Sequence, residues 1–197
     1  DGFYMRPRTD HEDLEKYHEG LIVCSACIAG EVPHKILEND IEGARQSIEW
    51  HKRIFGDDYY LELQRHEVTD PNVRANRETY PLQQKANKIL VELAREYGVK
   101  LVCTNDCHFV DKDNAEAHDH LLCLATGKDL DDPTRMLYSK QEWFKTREEM
   151  NDIFSDIPEA LTNTLEILDK VETYNINHDP IMPFFPIPES FGTEEEW

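Results

Sequence analysis

The sequence has no apolar run approaching the length of a membrane span. Nothing at its start resembles a signal peptide, since Asp1 to Lys16 is polar and charged. It has no Gly-rich phosphate loop, no Walker lysine and no Ser-His-Asp order. It is poor in positive charge, with 21 basic against 41 acidic residues and a formal net charge of −20. Such a surface repels phosphate backbones, so the segment alone is not expected to bind duplex nucleic acid. No basic surface interleaved with aromatics stands in for one. The five cysteines (Cys24, Cys27, Cys103, Cys107 and Cys123) are odd in number, and four lie in or beside apolar strand-like runs. That favours reduced thiols in a cytoplasmic setting. A length of 197 residues fits one domain, or one plus an appendage.

What is present alternates between helix and strand signals. Thr9-Asp10-His11-Glu12 has the form of a capping box, opening a short helix over Asp10 to Glu19 that ends at Gly20. Leu21 to Cys24 reads as a buried strand running into the small-residue turn Ser25 to Gly30. Val32 to Asn39 reads as a helix, and Asp40 caps a second one through Ile54, closed by Gly56. Tyr59 to Gln64 alternates as a strand does. Asp70-Pro71-Asn72 is a loop. Leu82 to Tyr97 carries an apolar stripe at helical spacing and stops at Gly98. Val99 to Val102 is then a third strand. Helix and strand in this order imply parallel strands with crossover helices. Beyond Phe109, helices are expected over Asp113 to Thr126, Arg147 to Phe154 and Pro158 to Val171, with a short strand near Tyr138 to Phe144. Tyr59, Tyr60, Trp143 and Phe144 read as core. From Ile181 to Pro188 the prolines recur too often for a helix.

The chemistry concentrates at Val99 to Phe109. Asp106 and His108 lie at i and i+2 just past the third strand, so on extended backbone both side chains point the same way. Cys27 follows the first strand by a few residues. In a parallel sheet these ends share one face, where α/β folds collect their ligands. A thiolate, a carboxylate and an imidazole together suit Zn²⁺ or another first-row ion. The plain alternative is a turn-capping Asp106, a surface His108 and an inert Cys27, and spacing alone does not choose. Glu62 and Gln64 share one face of the second strand and His66 follows its end, so all three could line the same region, or could face solvent. His118 shares the apolar side of its helix and suits a supporting or core position. A Cys₄ site from Cys24, Cys27, Cys103 and Cys107 is disfavoured, because Cys24 and Cys103 fall inside apolar runs.

Six segments in this order carry a resemblance: Leu21-Ile22-Val23-Cys24-Ser25-Ala26-Cys27-Ile28-Ala29-Gly30-Glu31, Tyr60-Leu61-Glu62-Leu63-Gln64, Thr104-Asn105-Asp106-Cys107-His108-Phe109, Ala115-Glu116-Ala117-His118-Asp119, Thr126-Gly127-Lys128-Asp129-Leu130-Asp131-Asp132-Pro133 and Pro158-Glu159-Ala160-Leu161-Thr162-Asn163-Thr164. Together they resemble the PHP (polymerase and histidinol phosphatase) domain of the alpha subunits of bacterial DNA polymerase III. The resemblance implies a distorted (β/α) barrel with a multi-metal centre at the strand carboxyl ends. Cys27 matches the family's Cys ligand, and Asp106 with His108 its late Asp-x-His pair. The family's early His-x-His has no counterpart here.

The expected fold is therefore α/β: a partial distorted (β/α) barrel of PHP type, its last three parallel strands with crossover helices, followed by a helical extension. Residues 1–125 would be the C-terminal half of the barrel, 126–180 a helical extension toward a polymerase body, and 181–197 a Pro-rich linker and the start of a next domain. Both ends read as internal positions of a longer protein. The implied activity is metal-dependent phosphoesterase chemistry of a 3′–5′ exonuclease, with Zn, Mn or Fe in the complete PHP site and Mg in the parent polymerase. The implied partners are DNA, a proofreading subunit, a sliding clamp and a clamp loader, with no membrane. A non-catalytic scaffold and a stand-alone PHP phosphatase are the other readings. A partial barrel leaves an open edge beside its first strand, to be hidden by homodimerisation or by a helix.

Overall fold

The computed structural model describes residues 3–68, 74 and 78–182. The loop expected at Asp70 to Asn72, and the chain from 183 onward, lie outside the described residues. The elements are β1 (Phe3–Tyr4), β2 (Arg6–Pro7), α1 (His11–Lys16), β3 (Val23–Cys24), α2 (Glu31–Leu37), α3 (Ile41–Phe55), β4 (Tyr59–Gln64), α4 (Tyr80–Tyr97), β5 (Lys100–Thr104), α5 (Ala115–Thr126), α6 (Arg147–Ile153) and α7 (Pro158–Lys170). β1 and β2 form a small antiparallel pair. β3, β4 and β5 form a three-stranded parallel sheet in that order, and the sheet is not closed. Among the described residues no helix is long and apolar enough to cross a membrane.

Local chemistry sets the boundaries. Asp40 caps α3 by accepting the Gly43 N–H at 2.9 Å, and Gly98 ends α4 in the left-handed conformation that glycine adopts without a Cβ clash. The cap of α1 is Asp10, which accepts the Asp13 N–H at 2.9 Å. The expected Thr9 capping box is not the one used, and the helix is shorter than its polar pattern suggested. β3 is shorter too, because Leu21 is 42% exposed and lies outside the strand.

The alternation along β4 divides the sheet's two faces. Tyr59, Leu61 and Leu63 join Leu101 and Cys103 of β5 in one buried cluster. Ile36 of α2, Ala44 and Ile48 of α3, and Leu90 and Leu93 of α4 belong to the same cluster. Each large side chain buried there contributes about 1.5–3 kcal/mol. Phe154 and Ala160, from the α6–α7 region, also belong to it.

α7 runs beside β5, with Ala160 in the buried cluster, and its later turns reach the beginnings of β4 and β5. The Tyr60 hydroxyl donates to Glu166 at 2.7 Å. Lys100 Nζ donates to both Glu166 oxygens at 2.7 and 2.6 Å, and Lys170 Nζ to Asp58 and to the Tyr60 hydroxyl, each at 2.9 Å. Asn163 Nδ2 donates to the Leu101 carbonyl at 2.8 Å, satisfying an acceptor of the last strand. Arg65, just past β4, holds Asp156 bidentately at 2.6 and 2.9 Å and donates to the Ile153 carbonyl at 2.8 Å. The expected strand at Tyr138 to Phe144 is not formed. It is reduced to one isolated parallel bridge, Phe109 to Trp143. Trp143 is buried as expected, but Phe144 is 73% exposed and not core.

The Glu166 cluster makes a pH prediction. Its hydrogen bond from Lys100, and then that from Tyr60, hold the Glu166 carboxyl down at about 2 from its ordinary 4.5. A carboxylate depressed in the folded state contributes its stability above the unfolded value and loses it as pH falls toward the folded one. Thermal midpoints measured from pH 4.5 down to 2 should fall less steeply in Glu166→Gln than in the wild type. Parallel acid limbs for the two proteins would contradict this role.

Candidate metal centre

The carboxyl ends of β3, β4 and β5 each run into a polar turn. After β3, Ser25 N–H continues the pairing by donating to the Tyr60 carbonyl at 3.0 Å. The Ser25 hydroxyl oxygen accepts the Glu62 N–H at 2.8 Å. The chain then turns through Ala26, which has φ +61°, and closes with the Gly30 N–H on the Cys27 carbonyl at 2.8 Å. A Cβ at Gly30 would lie 2.1 Å from the Ser25 carbonyl oxygen, so only glycine fits. After β5, Asp106 also takes a positive φ, +46°. Aspartate tolerates the left-handed region better than most side chains, but holding it there requires fixed surroundings.

Asp106 and His108 are brought together. His108 Nε2 lies 3.3 Å from Asp106 Oδ1, and both side chains remain partly exposed. The His108 ring sits 4.5 Å from Tyr138 and 5.5 Å from His118, centroid to centroid. His118 is thus a neighbour of His108 and also packs against Phe109 at 5.2 Å. Cys27 and Asp106 line one cleft of about 260 Å³, together with Gln64, His66, Tyr138 and Glu142. Burial, then the negative charges of Asp106 and Glu142 and the nearby Cys27, push the Tyr138 phenol upward.

The remaining expected lining residues are placed as follows. Glu62 is not turned to solvent: its Oε1 accepts from the Thr104 hydroxyl and, at 3.1 Å, from Gln64 Nε2. Gln64 is buried beside it. His66 is 3% exposed rather than a surface loop residue. The Gln83 side-chain oxygen accepts the His66 backbone N–H at 2.9 Å, so the Gln83 amide nitrogen, 3.1 Å from Nδ1, is the donor there. That leaves the His66 proton on Nε2, which donates to the Asn105 carbonyl at 3.1 Å. Burial lowers the His66 pKa, in keeping with this neutral ring.

The donors in this cleft do not by themselves make a complete ion site. Among the described residues no group of three His, Cys, Asp or Glu side chains gathers closely enough to hold one. Asp106 and His108 have the chemistry and proximity of two adjacent donors, with Cys27 in the same cleft, and they fit as part of a larger ligand set rather than as a complete one. The Cys₄ alternative fails on placement, since the four cysteines form no three-donor group among the described residues. Burial raises the thiols of Cys24 and Cys103 to about 11, with Glu62 adding to the effect at Cys24.

Sequence reasoning missed Glu142. It is 2% exposed, and its Oε1 accepts the Ser139 N–H at 3.0 Å and the Ser139 hydroxyl at 2.5 Å. The pattern Ser139-x-x-Glu142 has the form of a capping box, a legible signal had the segment not read as a strand.

The thiols make a direct prediction. With an aromatic disulfide reagent at pH 8, exposed Cys107 should react first. Buried Cys103 should stay unmodified until the protein unfolds, and half-buried Cys24, with its thiol held up at about 11, should react more slowly than Cys107. Rapid labelling of Cys103 in the folded protein would contradict the burial described.

Comparison with known proteins accords with these features. The PHP domain family matches residues 1–66. The DNA polymerase III subunit alpha of Borreliella burgdorferi is 43% identical over the whole chain. Those of Thermus aquaticus and Campylobacter jejuni are 35% and 34% identical over 96% and 98% of it. The chain spans only 15–16% of the length of these three relatives. The chain is therefore similar along its whole length to a segment of bacterial DNA polymerase III alpha subunits, and its first 66 residues match the PHP domain family.

Proposed function

We propose that the chain is the C-terminal part of the PHP domain of a replicative DNA polymerase III alpha subunit, with the lead-in to its polymerase body. The supporting observation is that a chain similar throughout to these subunits brings Cys27 and Asp106 from two parallel strand ends into one cleft, with His108 on Asp106. The proposed division is barrel to 125, helical extension over 126–180 and linker from 181, with the extension sharing its core with the sheet. The parent would be a cytoplasmic DNA-directed DNA polymerase, acting on DNA with Mg and assembled with a proofreading subunit, a sliding clamp and a clamp loader. The edge beside β3 is where an isolated fragment would self-associate as a homodimer.

Cys27, Asp106 and His108 are proposed as ligands of a divalent ion, Zn, Mn or Fe, in a complete PHP centre with 3′–5′ exonuclease potential. In such a centre the ion polarises a water and a phosphate oxygen. This chain's residues would supply three donors, while the buried neutral ring of His66 and the half-buried Tyr138 border the cleft. A non-catalytic scaffold is the second reading. It is favoured by the absence of any three-donor group among the described residues, and by the engagement of Asp106 and His108 with each other. A stand-alone PHP phosphatase is less favoured, because the similarity to polymerase subunits continues through α7.

The purified 197-residue chain should show no 3′–5′ exonuclease activity on single-stranded DNA with Mn²⁺ or Zn²⁺. Measurable activity that His108→Ala abolishes would overturn the view that this segment holds only part of a site.

A further inference from the structure

We propose that Glu142 is the positioning residue of the Asp106–His108 pair. It would act through its own backbone, as the anchor of a strap that holds the turn in its left-handed conformation. The significance of that pair rests on the metal reading above, but the positioning itself stands on geometry.

The turn from Asn105 to Phe109 has little regular structure of its own, and a second piece of chain holds it. Residues 141–144 run beside it. The Glu142 carbonyl accepts the His108 N–H at 2.8 Å and the Phe109 N–H at 3.4 Å. The Asn105 side-chain amide donates to the carbonyls of Gln141 and Trp143 at 2.9 and 2.8 Å. The Phe144 N–H returns to the carbonyls of Phe109 and Val110, each at 3.1 Å. Asp106 is thus enclosed between Asn105, tied through its side chain, and His108, tied through its backbone. Both ties lead to the strap.

The strap itself belongs to no helix or strand, so something must fix its position. The Glu142 carboxylate does this from inside. It is 2% exposed, and one oxygen takes both the N–H and the hydroxyl of Ser139. That closes the bend at the strap's start, and the Ser139 hydroxyl oxygen in turn accepts the Gln141 N–H at 3.1 Å. The same carboxylate oxygen lies 3.7 Å from Nδ1 of His66, whose Nε2–H is bonded to the Asn105 carbonyl. Nδ1 accepts from Gln83, so the carboxylate makes no hydrogen bond to His66 and acts on the Asp-x-His turn through Ser139 and the strap. Its other oxygen is buried with no hydrogen-bond donor among the described residues. Burying a carboxylate with one oxygen unpaired is costly.

The test is site-resolved amide hydrogen exchange on the 197-residue chain, comparing wild type, Glu142→Ala, Glu142→Gln and Ser139→Ala. Glu142→Ala should speed exchange at His108 and Phe109 about tenfold, the scale of one lost buried hydrogen bond. Protection in β4 and α4 should stay at the wild-type level. Glu142→Gln, which keeps an acceptor for Ser139, should restore protection at His108 and Phe109. Ser139→Ala should show a smaller change of the same kind. Unchanged exchange at His108 and Phe109 in folded Glu142→Ala would overturn the proposal. So would a uniform loss of protection across the sheet that Glu142→Gln does not rescue. Mn²⁺ titration of a full-length alpha subunit carrying this segment, with and without His108→Ala, tests the metal reading separately. No effect of His108→Ala on binding would remove that reading and leave the exchange result standing.

Discussion

A parallel sheet of three strands cannot be left bare, and most of this structure answers that constraint. Parallel strands are normally buried on both faces, because their crossovers supply helices that cover them. Here α2, α3 and α4 cover one face through Tyr59, Leu61 and Leu63. Among the described residues no crossover helix covers the other face, and α7 reaches the buried Tyr60 there with charged side chains. The outer edge of β5 is closed by Asn163 on the Leu101 carbonyl and, further along, by the strap at 141–144. The edge at β3 is only two residues long, which limits how much unpaired backbone it presents.

The same constraint places the chemistry. With the sheet held from its sides and its strand beginnings reached by α7, the strand carboxyl ends open into the turns that carry Cys27, His66 and Asp106. Two of these turns include a non-glycine residue at positive φ, Ala26 and Asp106, and a third position, Gly30, accepts no side chain. Such geometry is sustained by surrounding structure rather than by local preference. In the β5 turn that surrounding structure is contributed by a segment more than thirty residues downstream. The Asp106–His108 turn and the downstream strap are therefore mechanically linked.

Much of the fold was legible because its signals are local. The alternation of Tyr59 to Gln64, the stripe of Leu82 to Tyr97, the Asp40 cap and the Gly98 stop all act within a few residues of where they are read. Family resemblance carried the recognition further than any single spacing. What could not be read depends on distant contacts. Phe144 looks like core and is exposed, because the segment around it became a strap rather than a strand. His66 looked like a loop histidine, yet Gln83 and the Asn105 carbonyl bury it. Glu142 was passed over, since nothing nearby in sequence reveals that its carboxylate faces His66. In the candidate site, Asp106 with His108 was legible as a pair, whereas their support was not.

The central claim is that Cys27, Asp106 and His108 are part of a metal centre that requires further ligands from elsewhere in a PHP barrel. Metal content after gel filtration tests it most directly, comparing this chain with a longer one that includes an N-terminal PHP half-barrel. The account predicts metal retained by the longer protein and lost on Cys27→Ser or Asp106→Asn, with the 197-residue chain retaining less than one equivalent. Undiminished metal in both variants of the longer protein would contradict it.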